Sequence, residues 1–253
     1  MSAPALELAD VSKSFGGLSV VHEVSFRVAQ GERVALIGPN GAGKTTVFNL
    51  ITGVYPADAG RVTASDRRID ALPSRKRIEA GIARTFQNIR LVPELDVIDN
   101  VILGEQSACK GIRPYLAPIR WLKDNEVRAK ARSVLSEIDL ERFDHQKAGG
   151  LPYGIRKQIE IARALMAGPN ILLLDEPAAG LNSEEAAELS RVLLKLSDAG
   201  LTLLIIEHDM HFVDRLCDHT IVLNFGQKIA EGTLAEIRRD PLVREAYIGR
   251  SEH

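Results

Sequence analysis

The sequence predicts an α/β protein with a mainly parallel sheet, because short apolar runs alternate with stretches of helical periodicity. Three of these runs, each about as long as one strand, span residues 33–37, 171–174 and 201–206. Each run is followed directly by glycine-rich or polar residues. Ligands of parallel sheets bind beyond the carboxyl ends of the strands, so we expect the residues after these runs to form a single site.

Size, charge and cysteine content indicate a compact cytosolic protein. The chain has 253 residues, 45% of them hydrophobic, which suffices to bury a sizeable core. A formal net charge of -2 argues against a broadly basic surface, so no nucleic-acid partner is expected. Cys109 and Cys217 have no second ligand at metal-binding spacing and are expected to remain reduced thiols. No run approaches the ~18 apolar residues that span a bilayer, so any membrane role requires a partner.

A change of periodicity divides the chain. The early segment 20–28 alternates apolar and polar residues, which predicts antiparallel strands flanking the core. From 87 to 167 the pattern becomes helical, with one apolar face formed by Val127, Val134, Leu135 and Ile138. We therefore predict one domain over 1–253, with a core formed by 1–86 and 168–253 and an inserted helical lobe formed by 87–167.

An irregular insertion is predicted within this lobe. Residues 104–123 carry Gly111, Pro114 and Pro118 together with the only tryptophan, Trp121. Two interpretations stay open, docking to a partner and packing against the helices of the lobe, and aromatic residues are more often buried.

Residues 38–45 carry the pattern of a phosphate-binding loop between a strand and a helix. The predicted nucleotide contacts are Gly38, Pro39, Asn40, Gly41, Ala42, Gly43, Lys44, Thr45 and Thr46. Glycines let backbone N–H groups turn toward an anion, and the helix that begins near Lys44 adds its positive dipole end. Lys44 is expected to reach the β and γ phosphates, and the Thr45 hydroxyl is expected to bind magnesium. A purely structural glycine-rich turn would not explain why loop, strand and helix coincide.

Two adjacent carboxylates follow the apolar run 171–174. Beside a phosphate-binding loop, Asp175 becomes a candidate magnesium ligand and Glu176 a candidate base for the attacking water. Successive side chains near a strand end point in different directions, so the two residues are able to take different roles. The alternative is that both acids cap a helix.

Three further side chains are candidates because of where they lie. His208 follows the third strand and is placed to donate to a phosphate oxygen, although a surface histidine would look the same. Gln87 offers an amide oxygen to magnesium or water. Phe15 precedes the phosphate-binding loop, and it either stacks on a purine ring or is a buried core aromatic.

Taken in order, these segments resemble the ABC transporter ATPase family over nearly the whole chain. The matching set is the phosphate-binding loop, Gln87, the stretch Leu151, Pro152, Tyr153 and Gly154, the acids Asp175 and Glu176, the turn Gly180, Leu181 and Asn182, and His208. The resemblance implies a P-loop NTPase (RecA-like) core and hydrolysis of ATP with Mg²⁺. It also implies that Phe15 stacks on adenine, that Gln87 lies in the loop between the lobes, and that His208 is the switch histidine. In the implied head-to-tail dimer, each nucleotide lies between one P-loop and the partner's signature segment, which here is 151–154.

Four stretches resemble a subgroup, the ATP-binding subunits of high-affinity branched-chain amino acid importers. They are 85–88, the insertion around 114–121, 207–210 and the ending 240–249. This resemblance implies two membrane-spanning permease subunits, an extracytoplasmic solute-binding protein that acts indirectly, and a peripheral position on the cytoplasmic face of the inner membrane.

Other functions stay open beside this one. Importers of urea, amides or aromatic acids share much of the pattern, so the solute has alternatives. A soluble ABC ATPase of translation or DNA repair usually carries two P-loops or a long coiled-coil insertion, and neither is present. A small-molecule kinase built on the same loop would not explain the signature-like segment, the turn 180–182 and His208 together.

The signature segment departs from the family pattern at Pro152 and Ile155. Proline offers neither a hydroxyl nor an N–H group, and isoleucine lacks the amide of the usual glutamine. Gly154 and the N-terminus of the following helix still attract an anion. We therefore favour a heterodimer with a second ATPase subunit that has an intact signature, and a homodimer stays possible.

Overall fold

The computed structural model describes residues 3–85, 87, 89–105 and 125–248. The predicted insertion lies outside these residues from 106 onward, as do Phe86, Asn88 and Gly249. The strands are β1 (Leu6–Phe15), β2 (Leu18–Val28), β3 (Arg33–Ile37), β4 (Ala59–Ala64), β5 (Arg67–Arg68), β6 (Ile82–Arg84), β7 (Ile171–Asp175), β8 (Thr202–Ile206), β9 (His219–Asn224) and β10 (Gln227–Gly232). The helices are α1 (Lys44–Thr52), α2 (Ser74–Glu79), α3 (Val97–Ile102), α4 (Asn125–Glu137), α5 (Tyr153–Leu165), α6 (Ser183–Asp198), α7 (Met210–Leu216), α8 (Leu234–Ile237) and α9 (Pro241–Ile248).

The larger sheet of the described chain has the strand order β10, β9, β3, β8, β7, β6. Its central strands pair in parallel, and β10 runs antiparallel to β9. Parallel strands are buried on both faces, which is why they read as continuous apolar runs rather than alternating ones. Leu36 and Asp175 both lie beside Ile206, so the carboxyl ends of β3, β7 and β8 meet at one edge. The predicted α/β fold class is confirmed, with β7 reaching Asp175 and β8 beginning at Thr202.

A second, antiparallel sheet has the strand order β2, β1, β4, β5. Leu8 of β1, Leu36 of β3 and Phe48 of α1 belong to one buried apolar cluster. This cluster joins the antiparallel sheet to one face of the parallel sheet, with α1 packed between them. The flanking antiparallel strands predicted from residues 20–28 are therefore present, and they fix α1 and the loop before it.

Helices α3, α4 and α5 follow β6 and pack over the opposite face of the parallel sheet. Val134, Leu135 and Ile138 of the predicted apolar face are buried, and Val127 is partly buried. They share a cluster with Leu172 of β7 and with α6, so these helices are joined to the sheet by continuous apolar packing. The division into a core and a lobe at 87 and 167 stays a prediction. Among the described helices, none combines the length and the hydropathy that crossing a membrane requires.

Candidate functional site

The loop between β3 and α1 curls around an open pocket. Gly38 and Gly43 have positive φ angles of 149° and 97°, which favour glycine. A Cβ atom on Gly38 would lie 2.1 Å from the Leu223 carbonyl oxygen, so there is no room for a side chain at that position. The pocket has a volume of about 220 Å³. It is lined by Val20, Asn40, Gly41, Ala42, Gly43, Lys44, Thr45, Thr46, Glu176 and His208.

Lys44 folds back over this loop. Its Nζ donates to the carbonyl oxygens of Gly38 at 2.7 Å and Pro39 at 2.9 Å. Burial lowers the pKa of the Lys44 ammonium, and the carboxylates of Glu176 and Asp175 oppose that shift. A cation held against carbonyl dipoles at the N-terminus of a helix is suited to binding phosphate.

Asp175 ends β7 and is held by Arg84, whose side chain is largely shielded from solvent. Arg84 Nη2 donates to Asp175 Oδ2 at 2.6 Å, while Nη1 of the same guanidinium donates to Asn49 Oδ1 at 2.7 Å. The two side chains of this ion pair are 9% and 11% exposed. Asn49 lies on α1, so Arg84 links the candidate metal ligand to the helix that carries Thr45.

Glu176 contacts the other two predicted catalytic residues, Gln87 and His208. Gln87 Nε2 donates to Glu176 Oε2 at 2.6 Å, and His208 Nε2 lies 2.9 Å from Glu176 Oε1. Glu176 has a positive φ of 49°, which is uncommon for a residue other than glycine. Its backbone N–H donates to the Ile206 carbonyl at 2.9 Å, which ties the end of β7 to the end of β8. In this arrangement the amide nitrogen of Gln87, rather than its oxygen, faces the carboxylate.

Phe15 lies at the end of β1 and is 40% exposed, so it is not a core aromatic in the isolated chain. Its ring contacts Tyr55 edge to face, with centroids 5.0 Å apart. Lys13 Nζ lies 5.4 Å from the Phe15 centroid. Phe15 is not among the residues that line the phosphate-binding pocket. Its predicted role in stacking on adenine stays a prediction.

The signature segment lies away from the pocket of its own chain. Leu151 is buried, Pro152 precedes the first turn of α5, and Tyr153 begins that helix. A Cβ on Gly180 would lie 3.1 Å from the Tyr153 ring, so the segment packs closely on the turn 180–182. Residues 151–154 are absent from the described residues that line the pocket.

The N-terminus of α5 is contacted by the side-chain carboxylate of Glu185 from the same chain. The Gly154 N–H donates to Glu185 Oε1 at 3.3 Å, and Glu185 Oε2 accepts from the Asn182 N–H at 3.0 Å. The sequence suggested that this helix end was available for a phosphate. A carboxylate of the same chain contacts it instead.

Sequence reasoning missed three charged residues around the site: Arg84, Lys157 and Glu207. Glu207 is buried, and it accepts hydrogen bonds from the N–H groups of Ala178 at 2.7 Å, His208 at 2.8 Å and Asp209 at 3.3 Å. Burial raises the pKa of the Glu207 carboxyl, and these three donors oppose the shift. The only signal in the sequence was the position of Glu207 beside His208.

The family model for ABC transporters matches residues 21–179. The chain belongs to the ABC transporter family. A second model, described as a branched-chain amino acid ATP-binding cassette transporter, matches residues 227–253. The predicted membership of this family and the predicted ABC-type ATP hydrolase are confirmed.

Relatives within the ABC transporter family span almost the full chain. One is the high-affinity branched-chain amino acid transport ATP-binding protein BraF of Pseudomonas aeruginosa, 40% identical, covering 98% of this chain and 99% of the relative. The Escherichia coli protein LivG, described in the same words, is 39% identical with the same coverage. A crystal structure of the ADP conformation of an ATP-binding cassette superposes with a TM-score of 0.88 at 36% identity, covering 98% of this chain and all of that chain.

Proposed function

We propose that this ABC ATPase hydrolyses Mg-ATP on the cytoplasmic face of the inner membrane and thereby drives uptake of branched-chain or related amino acids. Its partners in this proposal are two membrane-spanning permease subunits and, indirectly, an extracytoplasmic solute-binding protein. The observation that carries the catalytic part is the contact of Gln87 and His208 with Glu176 beside the phosphate-binding pocket. The full-length similarity to branched-chain amino acid transport ATP-binding proteins supports the solute.

Nucleotide binding is assigned to the loop residues and Lys44. The backbone N–H groups of 38 and 40–46 and the Lys44 ammonium hold the phosphates, and Phe15 stacks on the base. The Thr45 hydroxyl, the Asp175 carboxylate and the Gln87 amide oxygen are hard oxygen donors, which fit Mg²⁺. When bound with ATP, Mg²⁺ offsets the charge on the β and γ phosphates.

Hydrolysis is assigned to Glu176. A water oxygen attacks the γ-phosphorus, the bond to the bridging oxygen of ADP breaks, and the proton of the water passes to the Glu176 carboxylate. Gln87 and His208 contact one carboxylate oxygen each, so they fix the orientation in which Glu176 meets the water. His208 is also placed to donate to a γ-phosphate oxygen, since it lines the same pocket.

The test of this assignment is Glu176→Gln, which preserves shape and removes the base. We expect ATP to bind as before while turnover in the assembled transporter falls by roughly 100-fold or more. Glu184→Gln is the matched control, because Glu184 is an exposed residue at the start of α6. Turnover of the Glu176 variant near that of the control would remove Glu176 as the base.

We infer that the working dimer is a heterodimer. Pro152 offers no hydroxyl or N–H group, and the Gly154 N–H already donates to Glu185. The signature segment of this chain therefore binds weakly to the phosphate of a nucleotide in the other subunit's phosphate-binding loop. A second ATPase subunit with an intact signature would leave one competent site, built from Lys44 and Glu176 of this chain. A homodimer would have two weak sites.

The heterodimer is tested by placing the base-to-glutamine change in each ATPase subunit in turn. We expect the change in this chain to remove most of the transporter's ATPase activity, and the matching change in the other subunit to remove less. Equal losses would contradict asymmetry.

Uptake of a branched-chain amino acid, measured against urea, an amide and an aromatic acid in the same vesicles, decides the solute.

A further inference from the structure

One face of α5 contacts the main chain of Gln87 and Arg90, which follow β6. Lys157 Nζ donates to the Gln87 carbonyl oxygen at 2.8 Å. Glu160 Oε1 accepts from the Arg90 N–H at 2.6 Å, and Arg163 Nη1 donates to the Arg90 carbonyl oxygen at 2.7 Å. These three residues are spaced three apart, so they lie on the same side of the helix.

Two of the three charged side chains on this face are buried, and Arg163 is partly buried. Lys157 and Glu160 are each 4% exposed, and Arg163 Nη2 also donates to Glu160 Oε1 at 3.0 Å. Burial lowers the pKa of the Lys157 ammonium, and the neighbouring carboxylates oppose that shift, Glu160 the most and then Glu207. A buried ammonium without partners would be strongly unfavourable, so the bond from Lys157 to the Gln87 carbonyl is tightly maintained.

The direction of these bonds determines what they do. They reach the carbonyl of Gln87 and the N–H and carbonyl of Arg90, so they hold the backbone at these two positions independently of the side chains there. The side chain of Gln87 then extends to Glu176 Oε2, at 2.6 Å. A continuous path of hydrogen bonds therefore runs from α5 through Gln87 to Glu176.

We propose that Lys157 is a positioning residue for hydrolysis, acting through Gln87 on Glu176. Lys157 holds the Gln87 backbone at the distance from which its amide reaches the carboxylate. This inference rests on the proposed roles of Gln87 and Glu176. A lysine that only fastened α5 to the sheet would affect folding, and any effect of its substitution on kcat would be independent of Gln87.

The experiment is a double-mutant cycle on the reconstituted transporter, with Lys157→Met, Gln87→Ala and the double variant. We expect each single change to lower kcat about 10-fold, the size of one charge-assisted hydrogen bond, with the KM for ATP changed less than about 2-fold. The double variant is expected to match Gln87→Ala within about 2-fold, because the hydrogen bond from Lys157 reaches Glu176 through the Gln87 side chain. Multiplying losses would overturn the proposal.

A control and a second variant keep the result decisive. Lys195→Met removes an exposed bond from Lys195 Nζ to Asp139, at 3.0 Å, and is expected to leave kcat unchanged. If Lys157→Met does not assemble, Arg163→Met removes the bond at the far end of the same segment. It is expected to lower kcat about 3-fold, and this loss is expected to vanish in the Gln87→Ala background.

The two levels of the proposal fail differently. If Gln87→Ala alone leaves kcat unchanged, the proposed role of Gln87 fails and the role of Lys157 fails with it. If Gln87→Ala lowers kcat but the Lys157 loss multiplies with it, only the positioning role fails.

Discussion

The ion pair between Arg84 and Asp175 tests how strongly burial increases the contribution of a charged pair to the free energy of unfolding. Arg84→Met removes the guanidinium and leaves the Asp175 carboxylate buried beside an apolar side chain. Removing one partner of a buried pair costs about 3–5 kcal/mol in the free energy of unfolding. No large discount for solvent screening applies, because the two side chains are 9% and 11% exposed.

Urea denaturation followed by circular dichroism measures this loss. With an m-value of about 3 kcal/mol/M for a chain of this size, the midpoint is expected to fall by roughly 1–1.7 M. Arg27→Met is the matched control, since Arg27 lies 2.7 Å from Glu7 but is 74% exposed. That surface pair is expected to contribute less than about 1 kcal/mol.

The source of the loss is tested by adding Asp175→Asn. Since asparagine carries no charge, the double variant of Arg84 and Asp175 is expected to be more stable than Arg84→Met alone. A midpoint shift for Arg84→Met no larger than that of Arg27→Met would refute the reasoning. So would a double variant in which the two losses simply add.

Two further predictions follow from burial and backbone geometry. Burial raises the pKa of the Cys217 thiol to about 12. At pH 8 the reactive thiolate is then roughly 1,000-fold scarcer than in a thiol with the ordinary value, and raising the pH toward 12 restores it. In a Cys109→Ser background, we expect a chromogenic disulfide reagent to label Cys217 only after denaturation, and rapid labelling of the native protein would contradict this. Gly38→Ala is expected to lower the melting temperature by roughly 3–10 °C and to abolish ATP binding, because its Cβ would lie 2.1 Å from a backbone oxygen. Gly150→Ala, with nothing within 4 Å, is the control, and equal melting temperatures for the two variants would contradict the clash.

The parts of this protein that the sequence predicts are those governed by local patterns. The strands β3, β7 and β8 follow from runs that bury both faces, and the loop before α1 follows from its glycines and lysine. The convergence of these strand ends on one site follows from the rule for parallel sheets. Gln87, Glu176 and His208 were singled out separately, and the structure brings them into direct contact.

The parts that the sequence did not predict depend on contacts between distant residues. Arg84 and Asp175 are 91 positions apart, and Lys157 and Gln87 are 70 apart. An arginine in a strand and a lysine in an amphipathic helix look like solvated charges until the packing is known. The carboxylate at the N-terminus of α5 was missed for the same reason, because Glu185 is 31 positions from Gly154.

The buried Glu207 carboxylate has a consequence for engineering this protein. It accepts hydrogen bonds from the N–H groups of Ala178, in the loop after β7, and of His208 and Asp209, in the loop after β8. Replacing only the loop after β8 with one that lacks this carboxylate would leave the Ala178 N–H buried without an acceptor, at a cost of about 1–3 kcal/mol. The two loops are therefore a single unit of exchange, and a functional chimaera has to take both of them from the same parent.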